Sequence, residues 1–168
     1  MKRRVSKILS LVIMCALMAP MTVFAEDQTV TTAQTVTATV STASGESGSE
    51  SSVFVVAIPQ TITLNRTTYQ TFSGTYQTGV KAVLASGKKV TVTPAGTFDM
   101  TNTSDGSTKY TATVTQAKTT WVGEGASPAG NELVAGVDTY TNSQGSITVD
   151  IKKAGAYSGS LGFTVALQ

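Results

Sequence analysis

The sequence predicts an all-β protein: a single antiparallel β-sandwich of immunoglobulin-like architecture behind a flexible N-terminal arm. Three observations carry that expectation. Thirty threonines and nineteen valines among 168 residues favour a pleated, half-buried surface. Apolar and polar residues alternate in one short segment after another, with turn residues between them at intervals of roughly 8–12 residues. No segment after the first 25 residues repeats its apolar residues at helical spacing over a useful length. A closed barrel is the second choice for the same strands. Without paired cysteines, "immunoglobulin-like" describes architecture only.

Along the chain, Lys2, Arg3, Arg4 and Lys7 come first, ahead of an apolar run over residues 8–18. Val23-Phe24-Ala25 then fits the −3 to −1 positions of a cleavage site, so residues 1–25 are expected to be a secretory signal removed before Glu26. The run is short for a spanning helix of ~20 residues, and Pro20 breaks its end, so no membrane anchor is expected after cleavage. Cys15 follows Met14 inside that run, where a lipid-accepting cysteine would follow a small residue at its end. Cleavage removes four of the twelve basic residues and none of the ten acidic ones, which leaves a net charge of −2. The basic character belongs to the leader, and no basic stripe remains to attract nucleic acid.

Residues 26–52 form a Thr/Ser-rich arm with no aromatic residue and a net charge of −4 from Glu26, Asp27, Glu46 and Glu50. Residues 41–52 read as a Gly/Ser linker. Over residues 29–40, by contrast, Val30, Val36, Ala38 and Val40 share one parity while threonines hold the other. That is a strand pattern with no local partner, so the segment is either a solvated stalk or a strand donated to another chain's sheet edge.

Residues 53–168 carry all ten aromatics that follow the leader, and make the expected sandwich domain, of net charge +2. Residues 53–58 are nearly continuously apolar, which suits a strand buried on both faces or crossing between sheets, and Pro59 ends the run. Alternation then recurs over 61–64, 74–84, 88–93, 97–101, 109–116, 146–151 and 157–168. Ser86-Gly87 and Asp105-Gly106 mark turns. Residues 131–137 fit either a single helical turn or an irregular strand.

Little in this chain suggests catalysis. It has no histidine, the commonest general base and metal ligand, and its one cysteine is in the leader. Ser86-Gly87-Lys88 places a serine near a lysine, but in a turn where the amine is solvated. The six acidic residues after residue 52 are scattered singly, with nothing to pair them across a cleft. Residues 102–106 have a calcium-loop flavour yet lack the alternating acids and distal glutamate of an EF-hand, so a polar turn is expected there. We therefore expect no enzyme, no cofactor and no metal. Lys–Asn crosslinking is not expected either, because Asn65, Asn102, Asn131 and Asn142 fall at turn-like positions. Trp121 is the sole tryptophan and fits either a core filler or a sugar-stacking platform; Trp121, Tyr110 and Tyr157 are the candidate glycan contacts.

Three stretches together carry a resemblance. They are Val53-Phe54-Val55-Val56-Ala57-Ile58-Pro59, the run Lys89-Val90-Thr91-Val92-Thr93-Pro94 with Phe98, and Ala154-Gly155-Ala156-Tyr157-Ser158-Gly159-Ser160-Leu161-Gly162-Phe163. Ala112-Thr113-Val114-Thr115-Gln116 leading to Trp121 adds to them. The chain resembles small, mostly uncharacterised secreted Thr-rich β-sandwich surface proteins of Firmicutes, which commonly end in an "aGxWsGtxxFxI" segment. Tyr157 stands where that segment has tryptophan. More distantly, by architecture and the 29–40 arm alone, it is similar to secreted matrix-fibre subunits that polymerise by donating an N-terminal strand. The resemblance implies a secreted, non-enzymatic structural or adhesion protein, extracellular or associated with the cell wall, that self-assembles or contacts a glycan surface. A carbohydrate-binding module using Trp121 is the alternative. No wall-sorting motif or surface-layer repeat is visible, so attachment is expected to come from assembly or non-covalent contact.

Overall fold

A computed structural model describes residues 34–42 and 52–168, all within one compact unit, Thr32–Gln168. The leader at residues 1–25 and the candidate strand residue Val30 lie outside the described residues. The described chain is all-β, with eleven strands in one hydrogen-bonded sheet. They are β1 (Gln34–Thr42), β2 (Val53–Ala57), β3 (Thr61–Arg66), β4 (Thr71–Val83), β5 (Lys89–Pro94) and β6 (Thr97–Asn102). β7 (Lys109–Gln116), β8 (Thr120–Val122), β9 (Glu132–Val134), β10 (Thr141–Asp150) and β11 (Tyr157–Leu167) follow.

The sheet closes on itself. From β1 the pairing passes through β3, β4, β10, β7, β6 and β11, and β11 pairs back to β1. Open sheets are expected of a sandwich, whereas here hydrogen bonding is continuous around the circuit and the sheet is barrel-like. β11 then switches neighbours along its length: Tyr157, Ser158 and Gly159 face β6, while residues 163–167 face β5. β5, β8 and β9 extend the sheet from that far half. Just past β9, the Gly136 carbonyl accepts from the Ala82 N–H at 2.9 Å and returns the chain to β4. Four of these neighbour pairs lie far apart in sequence, so no local pattern announces them.

Parity explains the core. In β7, Ala112 and Val114 turn inward while Thr111, Thr113 and Thr115 face out; in β10, Ile147 and Val149 do the same between Thr148 and Asp150. Each valine or isoleucine so buried is worth roughly 1.5–3 kcal/mol. Tyr76 of β4 and Phe163 of β11 meet edge to face at 5.7 Å, which ties opposite parts of the circuit together. Tyr76 crosses β10 directly over Gly145, where a Cβ would lie 2.2 Å from the ring, and its hydroxyl donates to the Thr115 carbonyl at 3.3 Å. Burial pushes the phenol up to about 12. Gly145→Ala is expected to displace that ring and lower stability by about 1–3 kcal/mol in a denaturant titration; an unchanged midpoint would show that β10 shifts freely.

Two local expectations are corrected and one open alternative is resolved. Residues 53–57 form a strand whose alternate side chains are exposed, Val53 by 68 % and Val55 by 45 %, rather than one buried on both faces. The reason is position: among the described residues β2 pairs only with β4, and its other side is a sheet edge. Of the two alternatives left open for residues 131–137, the strand is the one found: Glu132–Val134 form the short strand β9, parallel to β8. Asn65, Asn102 and Asn142 stand in β3, β6 and β10 rather than in turns.

Candidate functional site

The candidate site is the gap between β3 and β11, which β1 occupies. β3 supplies Ile62 and Leu64 to the core beside it, and β11 supplies Tyr157, Leu161, Phe163 and Val165. β1 runs parallel to β11 over eight residue pairs, from Thr35↔Ser158 to Thr42↔Val165. On its other side it is antiparallel to β3 from Gln34↔Leu64 to Thr37↔Thr61. Val36 is fully buried in the shared core, while Thr37 faces out, as the alternation of residues 29–40 requires. Ala38 and Val40 pair with Leu161 and Phe163 in the ladder.

Gln34 belongs to the same inward parity and was missed in the sequence, since a glutamine carries no apolar signal. Its side chain is buried, and its Oε1 accepts from the Tyr157 N–H at 2.6 Å. This bond joins the first residue of β1 to the first residue of β11. Leaving that N–H buried and unpaired would cost about 1–3 kcal/mol. The sheet therefore treats β1 as an integral member, and the boundary expected at residue 53 does not separate residues 34–42 from the fold.

The three candidate glycan contacts fare differently. Trp121 is 0 % exposed, on β8 between Val90 and Leu133, and its Nε1 donates to the Thr141 carbonyl at 2.9 Å. A ring with no face open to solvent cannot stack on a sugar. Tyr157 is buried too, its ring 5.5 Å from that of half-buried Tyr110, and its hydroxyl donates to the Lys153 carbonyl at 3.0 Å. No flat aromatic face arises from these residues. The Tyr157 position, where the resembling segment has tryptophan, is a core position here. Gly155 just before it has φ +149°, and a Cβ there would meet the Asn102 Nδ2 at 2.5 Å.

The loop between β6 and β7 is a polar turn held by Asp105. Its carboxylate accepts from the N–H groups of Ser107 and Thr108, both at 2.9 Å, and from the Lys153 Nζ, also at 2.9 Å. The Thr108 N–H, then Lys153, hold the Asp105 carboxyl well below the usual carboxylate range. Asp105 therefore stabilises the fold above its unfolded value near 3.9, and that contribution is lost as pH falls toward its folded value. Asp105→Asn is expected to flatten the decline of thermal stability below pH 4; a parent-like acid decline would assign it to other carboxylates. A second pair, Lys89 and Glu132, pins β5 to β9, and the Ala129 N–H, then Lys89, lower the Glu132 carboxyl.

Three comparisons bear on kinship. No family model matches the sequence, and neither the curated proteins nor the solved structures yield a match.

Proposed function

We propose that the protein is a secreted, non-enzymatic structural or adhesion subunit of the cell surface or extracellular matrix, and that copies join by exchanging β1. One observation carries this: a strand from the N-terminal arm completes the sheet between β3 and β11. β1 is covalently joined to the rest of the domain only through the Gly/Ser-rich residues 43–52. The same groove would accept β1 of a second copy through the same hydrogen bonds, which is the physical basis of strand addition and domain swapping. On this reading the closed sheet is a flattened one, two layers of an immunoglobulin-like sandwich bridged by β1, and withdrawing β1 opens it along the β3–β11 line. The opposite charges of residues 26–52 and 53–168 favour docking of one on the other, subject to screening by salt.

A disulfide tests the exchange. Thr37 and Thr61 are opposite each other across β1 and β3, both exposed, and residues 26–168 contain no cysteine. Antiparallel partners have Cα atoms about 4.5–5.5 Å apart, within disulfide reach. Protein carrying Thr37→Cys and Thr61→Cys, oxidised as a monomer, is expected to lose the long assemblies of the parent in sedimentation velocity and to regain them on reduction. Assemblies of unchanged length in the oxidised protein would sink the proposal, as would a parent that forms none.

A further inference from the structure

The near-continuous apolar run at the start of the domain has no role in the exchange of β1, and its exposure needs an explanation. Six large hydrophobic residues are exposed among the described residues, and four of them converge on β2 and its neighbours: Val53, Val55, Val83 and Tyr140. Val53 is directly opposite Val83 across β2 and β4, and Val55 is opposite Lys81. The Tyr140 ring lies beside these, 3.3 Å from where a Cβ on Gly79 would be, with the Lys81 Nζ 5.4 Å from its centroid. Opposed residues on paired strands share a face, so Val53, Val55 and Val83 form one apolar surface with Tyr140 at its margin. Val137, also exposed, follows directly after Gly136, which bridges to Lys81.

Beside this surface, no described strand pairs with β2 on the side away from β4. Edge strands usually carry lysine, proline or a bulge that blunts them. β2 reads Val-Phe-Val-Val-Ala and has none of these. An unblunted edge next to exposed apolar side chains marks an interaction site.

We propose that this surface binds the same surface of a second copy, β2 pairing antiparallel with β2 about a two-fold axis at Val55. The register matches itself. Val53 then lies opposite Ala57 of the second copy, and Phe54 opposite its Val56, so exposed residues meet exposed ones and half-buried residues meet half-buried ones. Charge permits it as well: β2 itself carries no charged residue, and Lys81, opposite Val55, stands one strand back from the axis with its ammonium over Tyr140. Two copies would keep their Lys81 residues roughly 14 Å apart, three strand spacings, beyond a Debye length at physiological salt. The linker adds a third argument, which rests on the strand-exchange proposal. Residues 43–52 run from β1 straight into β2 and span at most about 40 Å. A copy whose β1 lies in a neighbour's groove therefore keeps its own β2 within that distance of the neighbour, which raises the effective concentration of one β2 edge for another.

The test uses residues 26–168 with the Thr37–Thr61 disulfide closed, so that exchange of β1 is blocked and only this surface can act. Sedimentation equilibrium is expected to show dimers in the locked protein. Val55→Lys puts two lysines face to face on the axis and is expected to raise the dissociation constant at least about a hundredfold. Thr75→Lys, on an exposed position of β4 away from the surface, is expected to leave it unchanged. Because Val55 is exposed, the Val55→Lys monomer should stay folded and melt within a few degrees of the locked parent diluted to its monomer. A locked protein that stays monomeric, or locked dimers that survive Val55→Lys, would overturn the β2 interface without touching the exchange of β1. Exchange fails separately, by long assemblies that persist when the disulfide is closed.

Discussion

A chain that begins at residue 43 is expected to be at least about 2–4.5 kcal/mol less stable than one that begins at residue 26. Val36 takes with it roughly 1.5–3 kcal/mol of apolar burial. Loss of Gln34 also removes the acceptor of the Tyr157 N–H, which water then solvates in the open groove, for about 0.5–1.5 kcal/mol net. The ladder to β11 also goes, exposing unpaired backbone on both β3 and β11. Those figures compare with a total stability of about 5–15 kcal/mol for an ordinary domain, so the truncated chain should melt far lower and aggregate through its open groove. A synthetic peptide covering residues 29–42 should raise the melting temperature of the truncated chain in proportion to the logarithm of its concentration, because it binds only the folded state. Truncation without loss of stability would mean that β1 is an accessory strand, and a peptide without effect would remove the basis for donation in trans.

The second large effect belongs to Trp121. Trp121→Ala should destabilise the protein by about 3–5 kcal/mol, since it empties a fully buried site between β5 and β9. Trp121→Phe should cost less, but it removes the donor to the Thr141 carbonyl, worth about 1 kcal/mol net. Denaturant midpoints of the two variants would separate packing from hydrogen bonding. A loss of glycan binding without a loss of stability would contradict the burial described above. The ring links β8 to the start of β10, so its truncation should loosen the β5–β8–β9 extension before the closed circuit.

How far the sequence could be read varies along the chain. β7 and β11 were legible because their inward residues are apolar and their outward ones are mostly threonine or serine, a pattern that requires no knowledge of partners. β2 was legible as a strand but not as an edge: an unbroken apolar run looks the same whether neighbours flank it on one side or two. Trp121 was ambiguous for a related reason. A single large ring at the end of a three-residue strand has no periodicity to say which way it faces. Gln34 was invisible, because its buried Oε1 is satisfied by a residue 123 positions away.

β1 shows the division most clearly. The alternation of Val36, Ala38 and Val40 with threonines established by itself that residues 29–40 favour a strand, while the lack of a local partner left a solvated stalk and a strand paired at a distance both open. The residues after 52 likewise determined an all-β domain without the means for histidine or thiol chemistry. Only the tertiary structure decided where β1 goes, that it runs parallel to the last strand, and that its entry closes the sheet. Side-chain periodicity records which face of a strand is buried; it does not record which backbone edge the strand will meet. Edge pairing is made by main-chain groups common to every residue except proline, so the choice of neighbour belongs to the whole fold rather than to any segment of it.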